Sequence, residues 1–182
     1  MDALKTALLI IDVQRGLFEE SPRPYEADEV IKNINHVIGK ARIAGIPVVF
    51  IQHEQDKGLL EYGCEGWCLQ TDLETDNADF RVRKRTPDSF LRTDLEKILH
   101  FNGINNLIIC GYASEFCVDT TVRRAAALGY SVQLVADAHT THDKKHALAK
   151  QIREHHNITL QSITSFGPRV TAVMAVGLTI EG

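Results

Sequence analysis

The most constraining feature of the sequence is a set of short apolar runs, each followed at once by polar residues. The first run covers residues 7–11, is apolar throughout and is followed by Asp12. A run without polar alternation is typical of a parallel strand that is buried on both faces, because helices cover both sides of such a sheet. The chain is therefore expected to build an internal, mainly parallel sheet.

Strand patterns and helical patterns alternate along the chain, which predicts an α/β fold. Strands are predicted at residues 7–11, 47–51, 80–85, 106–110, 131–135 and 159–163. Helices are predicted at residues 28–44, 95–103, 116–128, 144–155 and 168–176. A length of 182 residues fits one domain, residues 1–182, because domains commonly have about 100–200 residues.

Composition excludes several classes of protein. A hydrophobic fraction of 44% excludes a disordered chain. The formal charge of −4 argues against a nucleic-acid or membrane-surface binder, and no apolar stretch approaches the roughly 18 residues of a membrane span. Four cysteines are too few for a disulfide scaffold. We expect a cytoplasmic, soluble protein with reduced thiols, whose partner is a small-molecule substrate.

Two common kinds of binding site are disfavoured. Residues 12–16, after the first strand, contain one glycine, whereas dinucleotide binding needs a glycine-rich turn there. Cys64 and Cys68 are not followed by a second cysteine pair, and His142 and His146 lack the glutamate of an HExxH metal motif. We therefore expect neither a cofactor nor a metal.

Three residues beyond predicted strand ends carry useful chemistry, and that edge is where parallel sheets bind ligands. Cys117 is expected at the start of a helix, where the helix dipole would lower the pKa of its thiol. Asp12 suits a general base, and Lys84 shares a strand face with Val82, so it is expected to point inward. The structural alternatives stay open: an inert buried cysteine, an aspartate that caps a turn and a solvated lysine.

Four short motifs fall in order on consecutive predicted elements. They are Ile10-Ile11-Asp12-Val13-Gln14, Lys84 with Ser89-Phe90, Gly111 to Cys117-Val118, and Asp137-Ala138. Together these motifs, which span nearly the whole chain, resemble the isochorismatase-like cysteine hydrolase family. The resemblance implies a Rossmann-like, three-layer α/β/α fold with six parallel strands in the order 3-2-1-4-5-6. It also implies a homo-oligomer, because the family commonly self-associates.

The resemblance further implies a catalytic triad of Asp12, Lys84 and Cys117. Cys117 would form a thioester with a small amide-like, non-peptide substrate, with Asp12 as general base and Lys84 as stabiliser. A cis peptide bond between Tyr112 and Ala113 is implied, and the backbone N–H groups of Ala113 and Cys117 would form the oxyanion hole. Alternatives are ether hydrolysis of the isochorismatase type and a redox or non-catalytic small-molecule-binding member.

Residues 53–79 show no clear period and are expected to form part of a substrate wall. Trp67, within this segment, is expected either to stack on a ligand or to anchor the loop. The further candidate substrate-binding residues are Gln14, Phe18, His53, Tyr112 and Phe116. His139 is expected either to reach the pocket or to lie in a surface turn. A metal-binding branch of the family has Asp-x-His after the second strand, but residues 51–54 read Ile-Gln-His-Glu.

Overall fold

The computed structural model describes residues 5–180, so residues 1–4 and 181–182 of the predicted domain lie outside the described part. The strands are β1 (Thr6–Ile11), β2 (Val48–His53), β3 (Phe80–Lys84), β4 (Asn106–Tyr112), β5 (Ser131–Thr140) and β6 (Val170–Val173). They form one six-stranded sheet in the order β3-β2-β1-β4-β5-β6, and all neighbours are parallel. The predicted α/β class and strand order are confirmed.

Helices cover both faces of the sheet and complete a three-layer α/β/α arrangement. They are α1 (Arg15–Phe18), α2 (Ala27–Ile43), α3 (Leu95–Phe101), α4 (Asp119–Ala127) and α5 (Ala149–Gln161), with a π-helical turn at Ser114–Val118 and a 3₁₀ turn at Ala175–Gly177. None of the helices within residues 5–180 is both long and apolar enough to cross a bilayer.

Strand β1 shows why the apolar runs do not alternate. Leu9 and Ile11 enter the core that the sheet shares with α3, α4 and α5. Leu8 and Ile10 enter the opposite core, which the sheet shares with α2 and the 3₁₀ turn. Every residue of β1 is buried. A central strand therefore has an unbroken apolar run, here residues 7–11, and the first polar side chain after that run, Asp12, marks the edge of the sheet.

The predicted strand at residues 159–163 and the predicted final helix at residues 168–176 are wrong. Helix α5 runs through Gln161, beyond the predicted 144–155, and β6 follows it at Val170–Val173. A short apolar run does not by itself distinguish a buried strand from a helix segment. Here Ile152 and Leu160 are buried at helical spacing, so this apolar run packs as one face of a helix.

Two further elements differ from the prediction and both bear on the site. The predicted helix at residues 116–128 is a π-helical turn followed by α4. Strand β5 continues past the predicted 131–135 to Thr140, after an irregularity in its pairing between Ile109 and Gly111. This extension brings His139 beside the chain segment that carries Cys117, because His139 pairs in register with Gly111.

Candidate active site

Four reactive or ionisable side chains meet where β1, β2, β3 and β4 end. Asp12 follows β1 directly and has a left-handed backbone, with φ of 52°. His53 and Lys84 are the last residues of β2 and β3 and pair in register. Cys117 lies in the π-helical turn that follows β4. The parallel topology thus brings together residues that are far apart in the sequence.

The Lys84 ammonium group contacts the other three side chains of this group. Its Nζ lies 2.7 Å from Asp12 Oδ2, 3.1 Å from His53 Nδ1 and 3.2 Å from Cys117 Sγ. The Lys84 side chain is 0% exposed. Strand β3 alternates exposed and buried residues at its end, so the prediction that Lys84 points inward is confirmed.

The two carboxylate oxygens of Asp12 have different surroundings. Oδ2 accepts the hydrogen bond from Lys84 Nζ. Oδ1 is buried and has no hydrogen-bond partner among residues 5–180. A buried carboxylate oxygen that lacks a donor is costly to maintain unless a proton or a ligand reaches it. Oδ1 is therefore the atom of Asp12 that is available to accept a proton.

The thiol of Cys117 is held as a neutral group. Burial raises its pKa to about 12, with the negative charge of Asp12 acting in the same direction and Lys84 opposing both. The expectation that a helix start lowers the pKa of this thiol is wrong, because burial of the sulfur dominates. Cys117 consequently needs a base at the moment when it reacts.

His53 also points into the site, in one defined tautomer. Its Nδ1 accepts a hydrogen bond from Lys84 Nζ, so the ring hydrogen is assigned to Nε2. Burial and, next, the positive charge of Lys84 lower the pKa of His53, which keeps the ring neutral at pH 7. A neutral ring leaves Nε2 as a hydrogen-bond donor for a bound molecule.

Asp12, His53 and Cys117 have ligand atoms within 4.8 Å of one another, a spacing that a metal ion would accept. The Lys84 ammonium already lies within hydrogen-bond distance of all three side chains. A second cation between them would be repelled and would have to displace that ammonium. These residues therefore do not fit a metal centre, and Lys84 is the cation that this cluster holds.

A cavity of about 230 Å³ opens beside the thiol and the carboxylate. It is lined by Asp12, Leu17, His53, Leu60, Pro87, Tyr112, Ala113, Phe116 and Cys117. Three of the predicted substrate-binding residues, His53, Tyr112 and Phe116, are thus in its wall. Leu17, Leu60 and Pro87 were missed, because an apolar residue in a loop or a one-turn helix carries no sequence signal for lining a pocket.

Gln14 and Phe18 do not line this cavity, so it gives no support to their predicted contact with substrate. Phe18 is 0% exposed and packs edge-on against Tyr112, with ring centroids 5.9 Å apart. Gln14 is also 0% exposed. Its side chain bonds both backbone groups of His53, accepting from the N–H at 2.8 Å and donating to the carbonyl at 3.0 Å. Gln14 therefore fixes the end of β2.

Trp67 lies outside the cavity wall and anchors the long segment between β2 and β3. Its backbone carbonyl accepts hydrogen bonds from Gln14 Nε2 at 2.8 Å and Gln52 Nε2 at 3.0 Å. Its ring packs edge-on against Tyr62. Of the two expectations for Trp67, the loop anchor fits these contacts, and stacking on a ligand in this cavity does not.

The turn that carries Cys117 is tightly built. The Tyr112–Ala113 peptide bond is cis, as the resemblance implied. At Gly111, φ is +121°, and a Cβ there would overlap the backbone of Ile11, so only glycine fits. His139 lies behind this turn and is 0% exposed. Both expectations for His139, a pocket position and a surface turn, are therefore wrong.

Comparisons with known proteins agree with this geometry. Residues 6–167 match the family described as Isochorismatase domain. Streptothricin hydrolase from Streptomyces noursei is 36% identical over 138 residues, which are 75% of this chain and 50% of that protein. Ureidoacrylate amidohydrolase RutB from Stutzerimonas stutzeri is 27% identical, with 83% of this chain and 75% of that protein covered. The chain spans about half the length of the streptothricin hydrolases that it matches.

Solved structures share the same architecture. The crystal structure of an isochorismatase family protein matches with a TM-score of 0.85 and 33% identity, over 93% of this chain and 98% of that chain. An isochorismatase from Pseudomonas putida KT2440 matches with a TM-score of 0.85 and 27% identity, over 98% of this chain and 93% of that chain. The matched family segment contains Asp12, Lys84 and Cys117. The chain therefore belongs to the isochorismatase family of hydrolases.

Proposed function

We propose that the protein is a cysteine hydrolase that cleaves the C–N bond of a small amide-like, non-peptide substrate through a thioester on Cys117. One observation carries the proposal: the Cys117 thiol and the Asp12 carboxylate share one buried ammonium group and line the same cavity. A nucleophile, a base and a fixed cation are what acyl transfer requires. A relative named as an amidohydrolase supports the same bond type.

In the first step, Asp12 acts as general base. Its free Oδ1 accepts the proton of the Cys117 thiol while the sulfur attacks the carbonyl carbon and the C=O electron pair moves onto oxygen. Because the pKa of the thiol is raised, the proton leaves during the attack and not before it. The ammonium group of Lys84 offsets the negative charge as that charge moves from the carboxylate to the sulfur and the carbonyl oxygen.

The oxyanion is bound by the backbone N–H groups of Ala113 and Cys117, two residues that both line the cavity. As the tetrahedral intermediate collapses, the C–N bond breaks and the nitrogen takes the proton from Asp12, so that ammonia or an amine leaves. Water then attacks the thioester with Asp12 again as base. Release of the acid regenerates the thiol and the carboxylate.

The cavity wall supports a small substrate with an uncharged acyl part. Among residues 5–180, no arginine or lysine lines the cavity, and much of its wall is formed by Leu17, Leu60, Pro87 and Phe116. A substrate carboxylate would lose its hydration there without meeting a positively charged side chain in the wall, which is costly. The volume of about 230 Å³ is below the roughly 300 Å³ at which drug-sized ligand pockets begin.

Ammonia release from a panel of small amides and carbamoyl compounds tests the proposal. The panel pairs neutral amides such as butyramide and benzamide with a carboxylate-bearing amide, succinamate. We expect neutral amides to be hydrolysed in preference, Cys117→Ala to be inactive and Cys68→Ser, a change at an exposed thiol, to match the wild type.

Four outcomes would refute the proposal, and the last three each favour a different alternative. Full amide turnover by Cys117→Ala would refute the covalent route, and turnover of a vinyl ether instead of amides would favour ether hydrolysis. No ammonia release from any compound of the panel, together with a Cys117 that iodoacetamide does not alkylate, would favour a binding protein. No ammonia release, together with a Cys117 that peroxide oxidises reversibly, would favour a redox protein.

A further inference from the structure

Behind the nucleophile turn lies a buried polar chain that the proposed reaction does not use. Ser114 Oγ lies 2.8 Å from His139 Nδ1, and His139 Nε2 lies 2.8 Å from Asn157 Oδ1. Both Ser114 and His139 are 0% exposed. The chain joins three elements, since Ser114 begins the π-helical turn, His139 lies in β5 and Asn157 lies in α5.

The hydrogen bonds of this chain fix the direction of every donor. Asn157 Nδ2 donates to the carbonyl of Ala136 at 3.0 Å, so Oδ1 is its acceptor. His139 Nε2 must then carry the ring hydrogen, which leaves Nδ1 to accept from the hydroxyl of Ser114. Burial lowers the pKa of His139 to about 4, so this neutral tautomer is the form present at pH 7.

A serine, a histidine and an asparagine in hydrogen-bond order resemble a second catalytic triad, but their burial excludes that role. The cavity beside Cys117 is not lined by Ser114 or His139, and both side chains are 0% exposed. A nucleophile that substrate cannot touch does not react. The hydrogen-bonded row of Ser114, His139 and Asn157 must therefore act on the backbone to which Ser114 belongs.

That backbone is the one that faces the substrate. Ser114 directly follows Ala113, whose carbonyl accepts hydrogen bonds from Phe116 N at 3.0 Å and Val118 N at 3.1 Å. Cys117 lies within the same turn. A shift of Ser114 would therefore move Ala113 and Cys117 together, and their N–H groups with them.

We propose that His139, held by Asn157, is a positioning residue that anchors Ser114 and thereby aims the N–H groups of Ala113 and Cys117 at one oxyanion. The inference rests on the proposed function, because it assigns a purpose to the same oxyanion site. Oxyanion donors act through exact placement, and a misplacement of about 1 Å is enough to cost about 100-fold in rate. His139 itself bonds Ser114 and Asn157 and does not touch the thiol of Cys117.

Two substitutions at His139 separate its hydrogen bond to Ser114 from its hydrogen bond to Asn157. In His139→Asn, the side-chain oxygen can replace Nδ1 as the acceptor for Ser114, but the bond to Asn157 is lost. In His139→Gln, the amide nitrogen can replace Nε2 as the donor to Asn157, but the bond to Ser114 is lost. Asparagine is the smaller side chain and leaves the larger void. A purely structural role would therefore make His139→Asn the less active variant, whereas positioning through Ser114 predicts the opposite order.

The readout compares two reactions of Cys117. Acylation by p-nitrophenyl acetate, followed as the nitrophenolate burst, needs the oxyanion site, whereas alkylation by iodoacetamide does not. We expect acylation to fall about tenfold or more in His139→Gln and Ser114→Ala and to stay within about threefold of the wild type in His139→Asn and Ser114→Thr. Alkylation should stay within about twofold in all four variants, because it does not use the N–H groups of Ala113 and Cys117. The comparison of Ser114→Ala with Ser114→Thr keeps the test valid if a His139 variant fails to fold.

The possible failures are distinguishable. Acylation that is equally fast in Ser114→Ala and Ser114→Thr, or a parallel loss of acylation and alkylation, would overturn this inference and leave the proposed function standing. A wild-type Cys117 that is alkylated but never acylated would overturn the proposed function, and the inference with it.

Discussion

Replacing Lys84 with methionine should destabilise the fold strongly, although methionine nearly matches the lysine side chain in length. The Lys84 and Asp12 side chains are 0% and 2% exposed, with Nζ and Oδ2 2.7 Å apart. Lys84→Met removes the ammonium and leaves the Asp12 carboxylate buried without a counter-charge. The chain must then either keep an unpaired buried charge or protonate Asp12, and both cost free energy.

The size of the loss follows from the geometry. At 2.7 Å and an effective dielectric constant of about 20, the attraction is about 6 kcal/mol. While both ions are present, the attraction offsets the cost of removing each ion from water. Without Lys84, the desolvation cost of Asp12 remains and no attraction offsets it. Removing one partner of such a pair typically costs about 3–5 kcal/mol. For a chain of this length, each kcal/mol lowers Tm by about 2–4 °C, so we expect Tm to fall by about 6–20 °C.

Urea unfolding at pH 7 of the wild type, Asp12→Asn, Lys84→Met and the double variant measures the coupling. The double variant has neither the ammonium nor the carboxylate at this site and should be at least about 2 kcal/mol more stable than Lys84→Met alone. Lys97→Met is the matched control, because Lys97 forms an exposed pair with Asp94 and should cost less than about 1 kcal/mol. A Lys84→Met variant as stable as the control, or a double variant no more stable than Lys84→Met, would refute the reasoning.

Three further predictions follow from the site. Asp12→Asn should lower kcat for amide hydrolysis by about 10²–10⁴-fold, the range for loss of a general base, and a kcat within about threefold of the wild type would contradict that role. Burial lowers the pKa of His139 from its ordinary 6.5 to about 4, so the unfolded chain binds more protons than the folded protein between these two pH values. The free energy of unfolding should therefore fall by up to about 3 kcal/mol as the pH drops through this range. Urea unfolding at pH 7 and pH 4.5 should show that loss in the wild type and in the exposed control His36→Gln, but less of it in His139→Gln. Phe116→Ala should raise KM about tenfold with little change in kcat, because Phe116 lines the cavity and has no part in the proposed proton and acyl transfers. Steady-state kinetics that instead show a lower kcat at constant KM would contradict this placement.

The sheet and the reactive residues could be predicted because both depend on strong local patterns. The unbroken apolar run of β1 indicates burial on both faces, and its end places Asp12 at the carboxyl edge. The alternation of β3 indicates that Lys84 points inward. Parallel topology then determines that such strand ends lie side by side, so a sequence pattern is enough to bring Asp12, Lys84 and Cys117 to one edge.

The apolar residues Leu17, Leu60 and Pro87 of the cavity wall could not be predicted, because their position depends on tertiary placement. Helix α1 has a single turn, too short for its period to show which side faces the site. Leu17 lines the cavity and its neighbour Phe18 enters the core. Leu60 belongs to the long segment, whose path depends on hydrogen bonds from Gln14 and Gln52 to a distant backbone carbonyl. No local pattern encodes such contacts.

His139 was misplaced for a related reason. The sequence indicates that β5 ends near residue 135, before Asp137, but the strand resumes after an irregularity and runs to Thr140. A polar residue after an apolar run normally marks the end of a strand. Here His139 is accommodated because Ser114 and Asn157 satisfy both of its ring nitrogens. Self-association and a cytoplasmic location stay predictions.

The identity of the atom that bonds to substrate is the central claim, and intact-protein and peptide mass spectrometry tests it most directly. The wild type is mixed with a neutral amide that it hydrolyses and is quenched in acid during turnover. We predict an added acyl mass on the peptide that contains Cys117, which is lost on treatment with hydroxylamine and absent from Cys117→Ala. Turnover with no adduct on Cys117, or with an adduct on the exposed Cys68 instead, would contradict the covalent mechanism.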